Sequence, residues 1–234
     1  MLFDLDDTLH DDTLAYQSAA RDVAEEVAAA GGIDAAALKA AYVLEAENFW
    51  KHLDADGLRV ELAGVRRRLW QRALERVGIT DPAIALRCAR RYNDCRKRYF
   101  TPFPGALELL QALRARGKRL GLVTNGFAET HREKIALLKL EELFEAVFIA
   151  DEVGMLKPDP QLFVHACERL GGEPKRAAMV GDRYDRDIRG AAEAGLFTVW
   201  FNVRGERLAA GSGPPPDAVC TSLGEVGRVL DALG

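Results

Sequence analysis

The length, composition and charge of the chain exclude several classes of protein. It has 234 residues, 48% of them hydrophobic and 29% charged, which is ordinary globular usage and not that of a disordered or fibrous chain. The formal net charge of −4 leaves no overall positive field for nucleic acid or an anionic membrane. Because acidic residues begin at Asp4 and no apolar run could span a bilayer, we expect a cytoplasmic protein without a nucleic-acid or membrane partner.

A short strand is predicted first, over residues 2–5, and a helical region follows it. In this region, Asp81 suits an N-cap and Pro82 suits the first position of a helix. Amphipathic patterns predict four helices, at residues 14–30, 35–53, 58–77 and 82–98. Together they indicate a small helical bundle over residues 14–100.

From residue 101 onward the pattern alternates between short apolar strands and amphipathic helices. Strands are predicted at residues 120–124, 146–150, 177–180 and 197–201, with helices at 105–116, 129–140, 160–170 and 185–194. A final short strand and helix follow a Gly/Pro-rich loop at residues 211–216. This rhythm predicts a doubly wound, Rossmann-like α/β core of residues 1–13 and 101–234, with the helical bundle inserted into it.

Polar residues stand at the ends of the predicted strands. Asp4 and Asp6 end the first strand, Thr124 ends the second, Lys157 follows the third, and Asp182 ends the fourth. In an open parallel sheet, ligands bind at the carboxyl ends of the strands, near the point where strand order reverses. Four distant segments are therefore expected to bring polar groups to one edge of the sheet.

Asp4 and Asp6 are two positions apart, so on a strand their side chains would share a face. Two such close carboxylates repel each other, and a divalent cation or protonation of one acid would relieve the repulsion. Since no His or Cys lies in the cluster, Mg²⁺ is the expected ion. The same residues would also serve as a simple turn and helix cap.

Each of the other segments has an ordinary structural explanation when it is taken alone. Asp185 and Asp187 suit the first turn of a helix, where the helix dipole favours acids. Lys157 stands before a proline, as solvated loop residues often do. The run Thr124 to Gly126 is typical of a turn, although glycine also lets backbone N–H groups approach an anion.

Taken together and in order, these segments resemble the haloacid dehalogenase-like superfamily. Its Asp-x-Asp-x-Thr signature matches residues 4–8, its Ser or Thr after an apolar strand matches Thr124, its lysine matches Lys157, and its Gly-Asp-x-x-x-x-Asp matches residues 181–187. The resemblance covers essentially the whole chain, with residues 14–100 matching the helical cap of one branch. Family members usually have more apolar residues before the first aspartate, and an upstream start codon or a trimmed chain would each account for the difference.

The resemblance implies a magnesium-dependent phosphatase acting through an aspartyl-phosphate. Asp4 is then the nucleophile, and Asp6 is the acid that protonates the leaving oxygen and later the base that activates water. The Asp4 carboxylate, the Asp6 backbone carbonyl and Asp182 would hold Mg²⁺, supported by Asp187. A raised pKa is expected for Asp6, because carboxylates crowd it.

The resemblance also implies how the phosphate is bound. Thr124 and Lys157 are assigned to catalysis because they would neutralise or bind the phosphate oxygens. Thr8, Asn125 and Gly126 are assigned to substrate binding, the last two through backbone N–H groups. The expected partner is a small-molecule phosphate ester, and the sequence indicates no oligomeric state.

Three alternatives remain open from the sequence. A phosphomutase shares all four motifs and differs only in what accepts the phosphoryl group. A 2-haloacid dehalogenase belongs to a branch that lacks the second acid of the first motif and uses no metal, which Asp6 and Thr8 argue against. A non-catalytic binding protein would keep the fold alone. Residues 124–127 and 132–135 are locally similar to pyrimidine 5'-nucleotidases and N-acylneuraminate-9-phosphatases, so a sugar phosphate or a nucleotide is the expected substrate.

Overall fold

A computed structural model describes residues 1–54, 56–209 and 211–233. Ala55, Ala210 and Gly234 fall inside the predicted domain ranges but lie outside the described residues. The chain divides into two compact units, one formed by Met1–Asp11 with Thr101–Gly234 and the other by Asp12–Phe100. The second unit starts at residue 12, and not at residue 14 as expected, because its first helix already begins there.

The first unit is built on a six-stranded sheet in which all neighbouring strands are parallel. Its strands are β1 (Leu2–Phe3), β2 (Gly121–Thr124), β3 (Ala146–Ile149), β4 (Ala178–Gly181), β5 (Phe197–Phe201) and β6 (Ala218–Cys220). The order β3-β2-β1-β4-β5-β6 reverses direction at β1, which pairs with both β2 and β4. The predicted doubly wound α/β fold is confirmed.

The core of this unit forms because its central strands are apolar on both faces, as parallel strands must be. All four residues of β2 and of β4 are buried. Leu2, Val123 and Met179, from three adjacent strands, share a cluster with Phe163 and Ala166. The helices of the first unit are α5 (Ala106–Ala115), α6 (Ala128–Leu137), α7 (Ala150–Val153), α8 (Pro160–Arg169), α9 (Arg189–Glu193) and α10 (Leu223–Ala232).

The first strand is shorter than predicted, and the prediction that it extends to Leu5 is wrong. The Asp4 amide still donates to Val180 O at 2.9 Å, but Leu5 O then accepts the amides of Leu9 and His10 at 3.0 and 3.2 Å. Asp7 completes this tight turn with a φ of 60°. Asp4 and Asp6 therefore do not lie on one strand face, because the chain turns directly after Asp4.

The helix predicted over residues 185–194 is divided in two. Tyr184–Ile188 form a π-helical turn, and α9 begins only at Arg189. Single π-helical turns are rare in proteins, but many of those that occur lie at functional sites. They turn side chains away from the ordinary helical repeat. This turn determines the position of Asp187.

The second unit is a bundle of four helices: α1 (Asp12–Gly31), α2 (Ala35–Lys51), α3 (Leu62–Arg76) and α4 (Pro82–Lys97). Asp81 caps α4 as predicted, with its side chain accepting the Ala83 amide at 2.8 Å. The bundle core contains a stack of Tyr42 on Trp70, whose ring centroids are 4.0 Å apart. The third helix begins later than predicted, because Gly57–Arg59 form a separate 3-10 turn.

Candidate active site

The carboxyl ends of β1, β2 and β4 lie side by side, and each is followed by a residue that the sequence singled out. Asp4 follows β1, Thr124 ends β2 and Asp182 follows β4. Asp4 and Thr124 are 5% and 1% exposed, so these polar side chains are buried at the edge of the sheet. The structure therefore brings these distant segments together at one edge of the sheet, as the sequence predicted.

A buried lysine lies between two carboxylates of this site. Lys157 Nζ donates to Asp4 Oδ1 and lies 2.6 Å from Asp187 Oδ1. Lys157 and Asp187 are 3% and 1% exposed. A buried charge needs partners of opposite charge. Here the Lys157 ammonium group and the two carboxylates neutralise one another.

Burial and charge shift the proton equilibria of this cluster. Burial raises the pKa of Asp4 to about 7, with Asp187 and Asp6 adding to the effect and Lys157 opposing it. Burial, followed by the charge of Asp4, also raises the pKa of Asp182 well above its usual value. For Lys157, burial acts to lower the pKa, but the carboxylates of Asp187 and Asp4 outweigh it and hold the pKa above its usual value.

Three of these acids form a group that fits a metal ion. One carboxylate oxygen from each of Asp4, Asp182 and Asp187 lies within 4.8 Å of the others. Among the described residues, buried Asp182 Oδ1 has no hydrogen-bond donor. The three carboxylates outnumber the single lysine, and a donor set made only of oxygen suits a hard divalent cation. The carboxylate of Asp6 is outside this group.

Thr8 connects the first and last motifs. Its hydroxyl donates to Asp4 Oδ2 at 3.2 Å and accepts the Asp182 amide at 3.0 Å. A hydroxyl has a single proton, and here that proton is directed at Asp4. The geometry therefore favours a role for Thr8 in aiming the Asp4 carboxylate, while the substrate-binding role expected from the sequence stays a prediction.

The side chain of Asn125 is engaged with the backbone of Lys157. Asn125 Oδ1 accepts the Lys157 amide at 2.8 Å, and Asn125 Nδ2 donates to the Lys157 carbonyl at 2.8 Å. This pair of hydrogen bonds fixes the loop that carries the buried lysine. Gly126 has a φ of 153°, and a Cβ there would lie 2.1 Å from His131 Cε1, so the position is restricted to glycine.

Asp187 reaches the site because the π-helical turn folds its side chain back over the end of β4. Its Oδ2 accepts the Arg183 amide at 2.9 Å. A Cβ at Gly181 would lie 2.4 Å from Asp187 Cγ. The glycine before Asp182 thus leaves space for the side chain of Asp187.

Asp6 has neighbours that the sequence reasoning missed. Its Oδ1 lies 2.5 Å from Lys134 Nζ, and its Oδ2 lies 3.3 Å from His131 Nε2. Lys134 is 0% exposed and His131 is 4% exposed. Burial and carboxylate crowding raise the pKa of Asp4, to which Asp6 contributes, and that of Asp182. The raised pKa expected for Asp6 itself stays a prediction. A lysine on the buried side of α6, three residues after His131, was the signal available in the sequence.

Comparison with family models identifies the family of this chain. The model described as haloacid dehalogenase-like hydrolase matches residues 1–195. The chain belongs to this family. Among described residues of this haloacid dehalogenase-like hydrolase, no helix has the length and apolar character needed to cross a membrane.

Curated relatives of this hydrolase include two named phosphatases. It is 34% identical over 200 residues to a glyceraldehyde 3-phosphate phosphatase of Methanopyrus kandleri, covering 85% of this chain and 82% of the relative. It is 35% identical over 220 residues to a phosphoserine phosphatase of Thermus thermophilus, covering 86% and 88%. The names of these relatives agree on a phosphate ester and differ in which ester.

Solved structures extend the comparison to the whole hydrolase. The HAD hydrolase YfnB of Bacillus subtilis, bound to magnesium, has a TM-score of 0.79 at 23% identity and covers 98% of this chain and 97% of that chain. A 2-haloacid dehalogenase of Pseudomonas syringae has a TM-score of 0.65 at 30% identity and covers 100% and 98%. The fold is thus shared across members with different names.

Proposed function

We propose that this chain is a Mg²⁺-dependent phosphatase that hydrolyses a small-molecule phosphate monoester through an aspartyl-phosphate on Asp4. One observation carries the proposal: the buried Asp4 carboxylate is held by Thr8 and Lys157 beside two further acids. A carboxylate is a weak nucleophile and needs such orientation and charge neutralisation to attack phosphorus.

In the first half of the reaction, an Asp4 oxygen forms a bond to phosphorus as the bond from phosphorus to the ester oxygen breaks. Asp6 gives its proton to that ester oxygen, which leaves as an alcohol. Phosphoryl transfer of this kind is accelerated mainly by positioning and charge stabilisation. The two hydrogen-bonding partners of Asp4 provide the positioning.

In the second half, water attacks the phosphorus and the bond from phosphorus to Asp4 breaks. Asp6 takes a proton from the attacking water, which restores the acid for the next turnover. Inorganic phosphate leaves, and Asp4 is again a free carboxylate. No oxidant or reductant is needed, and water is the second reactant.

The carboxylates of Asp4 and Asp182 would hold Mg²⁺, with the backbone carbonyl of Asp6 as a further ligand and Asp187 in support. Bound there, the ion supplies charge neutralisation between the carboxylate nucleophile and the phosphate. Lys157 contributes a second positive charge at Asp4, and its link to Asp187 holds it in place. The unpartnered Asp182 Oδ1 supports this assignment.

The phosphate oxygens would be bound by Thr124 and by the backbone N–H groups at Asn125 and Gly126. The side chain of Asn125 acts on Lys157, so only the backbone of Asn125 is assigned to the substrate. The relatives named for glyceraldehyde 3-phosphate and phosphoserine support a small organic phosphate. A sugar phosphate or a nucleotide, a cytoplasmic location and the absence of nucleic-acid or membrane partners stay predictions.

The likeness to a 2-haloacid dehalogenase favours a second candidate function. In that reaction the aspartate would attack carbon, and no metal would be held beside it. Asp6, Thr8 and the acid group of Asp4, Asp182 and Asp187 argue for phosphoryl transfer instead. A phosphomutase remains compatible with the same residues, since only the acceptor of the phosphoryl group differs.

The nucleophile is tested with Asp4→Asn and p-nitrophenyl phosphate. We expect the wild-type protein to release p-nitrophenol with Mg²⁺ present and not after chelation. Asp4→Asn should lose this activity by a factor on the order of 10⁴ or more, because the covalent route is closed. Circular dichroism and thermal unfolding would verify that the variant is folded.

Asp56→Asn is the matched control, since the Asp56 side chain is 85% exposed and lies in the helical unit. It should leave the turnover unchanged. Turnover by folded Asp4→Asn close to that of the wild type would contradict the assignment, and chloride release from 2-chloropropionate without phosphatase activity would favour the dehalogenase.

A further inference from the structure

We propose that Lys134 and His131 of α6 are positioning residues that orient the Asp6 carboxylate for its proton transfers. Both lie outside the four sequence motifs, and the inference rests on the proposed function. Each oxygen of the Asp6 carboxylate has its own partner, because Oδ1 lies 2.5 Å from Lys134 Nζ and Oδ2 lies 3.3 Å from His131 Nε2.

Asp6 needs such partners because its own backbone does not restrict its carboxylate. The residue lies in the turn after β1, and its side chain is 28% exposed. Rotation of a carboxylate about its terminal torsion is broad and has no strong preference. Proton transfer requires an oxygen within about 2.6–3.2 Å of the reacting group, so a freely rotating acid would often be misdirected.

Lys134 is suited to this role by its burial. It is 0% exposed, although it lies on a helix of the outer layer that begins at Ala128. A buried ammonium group is costly unless an anion compensates it, and the Asp6 carboxylate is such an anion. The contact therefore persists and holds Oδ1 from one side.

His131 is fixed by contacts on two other sides of its ring. Its Nδ1 lies 3.1 Å from the Phe127 carbonyl, which can only accept, so Nδ1 carries a proton. Its Cε1 packs against Gly126, where a Cβ would lie only 2.1 Å away. With Nδ1 and Cε1 fixed, the ring holds Nε2 at 3.3 Å from Asp6 Oδ2. The packing of Cε1 explains why position 126 needs glycine even without a ligand.

The test compares two aryl phosphates that differ in the basicity of the leaving group. Phenolate leaves only with the help of an acid, whereas p-nitrophenolate leaves readily without a proton. Lys134→Met should lower kcat for phenyl phosphate by about 10²-fold, the lower end of the usual contribution of general acid–base catalysis. With p-nitrophenyl phosphate it should produce a rapid burst of p-nitrophenol followed by slow turnover, because water activation also needs Asp6.

Lys139→Met is the matched control, since Lys139 is exposed just beyond the end of the same helix. It should behave as the wild type with both esters. For His131, His131→Leu should show the same selective loss as Lys134→Met, and His131→Gln should recover part of it by offering an N–H to Asp6. The histidine pair decides the outcome should Lys134→Met fail to fold.

A double variant distinguishes positioning of Asp6 from a general structural effect. In an Asp6→Asn background, Lys134→Met should cause no further loss of steady-state turnover of p-nitrophenyl phosphate, since the group it acts through is already absent. An equal loss in the rate of the first release of phenol and of p-nitrophenol, or a full additional loss in the double variant, would overturn the inference while the phosphatase assignment stands. Absence of hydrolysis by the wild-type protein would instead refute the proposed function itself.

Discussion

In the proposed reaction, Asp4 must be ionised to attack phosphorus and to bind a cation, yet its burial opposes ionisation. Burial raises its pKa to about 7, and the neighbouring acids Asp187 and Asp6 act in the same direction. A carboxyl group with a raised pKa is protonated below that value and competes with a metal ion for the same oxygen. Metal binding and deprotonation of Asp4 are therefore linked.

The stabilisation that Mg²⁺ gives to the protein should grow with pH. Below pH 7 the ion must displace the proton of Asp4, so its affinity should fall by up to about tenfold for each pH unit, as expected for one linked proton. Above pH 8 the effect should level off. Thermal unfolding at a fixed Mg²⁺ concentration should give a larger rise in Tm at pH 8 than at pH 5.5, and an equal rise at both would contradict the linkage.

For single residues, the sequence predicted which segments come together but not which partners their side chains contact. Asp4, Thr124, Lys157 and Asp182 are placed by motif and strand position, and they converge as expected. The contact of Asp6 with Lys134 joins residues 128 positions apart. A local pattern holds no information on such a pair, and the same is true of the two hydrogen bonds between Asn125 and Lys157.

Among the elements, the π-helical turn after β4 has the most direct influence on the site. It directs Asp187 back over Gly181 and leaves the Asp187 oxygens facing Lys157 and the Arg183 amide. The sequence predicted an ordinary helix over residues 185–194, because acids near a helix start fit the dipole rule. The clash that forbids a side chain at Gly181 is a property of packing and leaves no periodic signal.

Gly181→Ala should disrupt this arrangement. Its Cβ would stand 2.4 Å from Asp187 Cγ, and inserting a methyl group into packed surroundings typically costs about 1–3 kcal/mol. We expect a lower free energy of unfolding and weaker Mg²⁺ binding, measured by chemical denaturation and by the Mg²⁺-dependent change in Tm. Gly224→Ala in α10 is the matched control, since the atoms nearest to its Cβ would be 3.9 and 4.0 Å away.

That control should be neutral or stabilising, because alanine is favoured over glycine in a helix by about 0.5–1 kcal/mol. If Gly181→Ala were as stable as the wild type and bound Mg²⁺ normally, the packing explanation for this glycine would be wrong.

The end of the first strand was also set by contacts that the sequence does not show. Its predicted end at residue 5 failed because Leu5 O closes a turn with Leu9 and His10, which apolar character alone does not reveal.

For the whole molecule, the division into two compact units suggests that catalysis and substrate selection belong to different units. All residues of the candidate site belong to the unit formed by Met1–Asp11 and Thr101–Gly234. The two chain segments of the sheet unit that flank residues 12–100 are adjacent. The Asp11 amide lies 3.4 Å from the Thr101 carbonyl, and the Phe103 amide donates to Leu9 O at 2.9 Å. We propose that the helical unit is a cap that selects the substrate.

Replacing residues 12–100 with a short Gly/Ser linker should leave the sheet unit folded, because the two ends are already adjacent. We expect the variant to bind Mg²⁺ and to hydrolyse p-nitrophenyl phosphate, while its kcat/KM values for a panel of sugar phosphates and nucleotides become nearly equal. A folded variant that keeps the wild-type ranking of these esters would show that the cap does not select.

The covalent intermediate on Asp4 is tested most directly by rapid acid quench of the Mg²⁺-loaded protein with p-nitrophenyl phosphate, followed by peptide mass spectrometry. Asp6→Asn would slow hydrolysis of the intermediate and raise its amount. We predict one phosphoryl group on the peptide that contains Asp4, and none in Asp4→Asn. Release of phosphate at quench times within one turnover, with no phosphoryl group on Asp4, would contradict the proposed reaction.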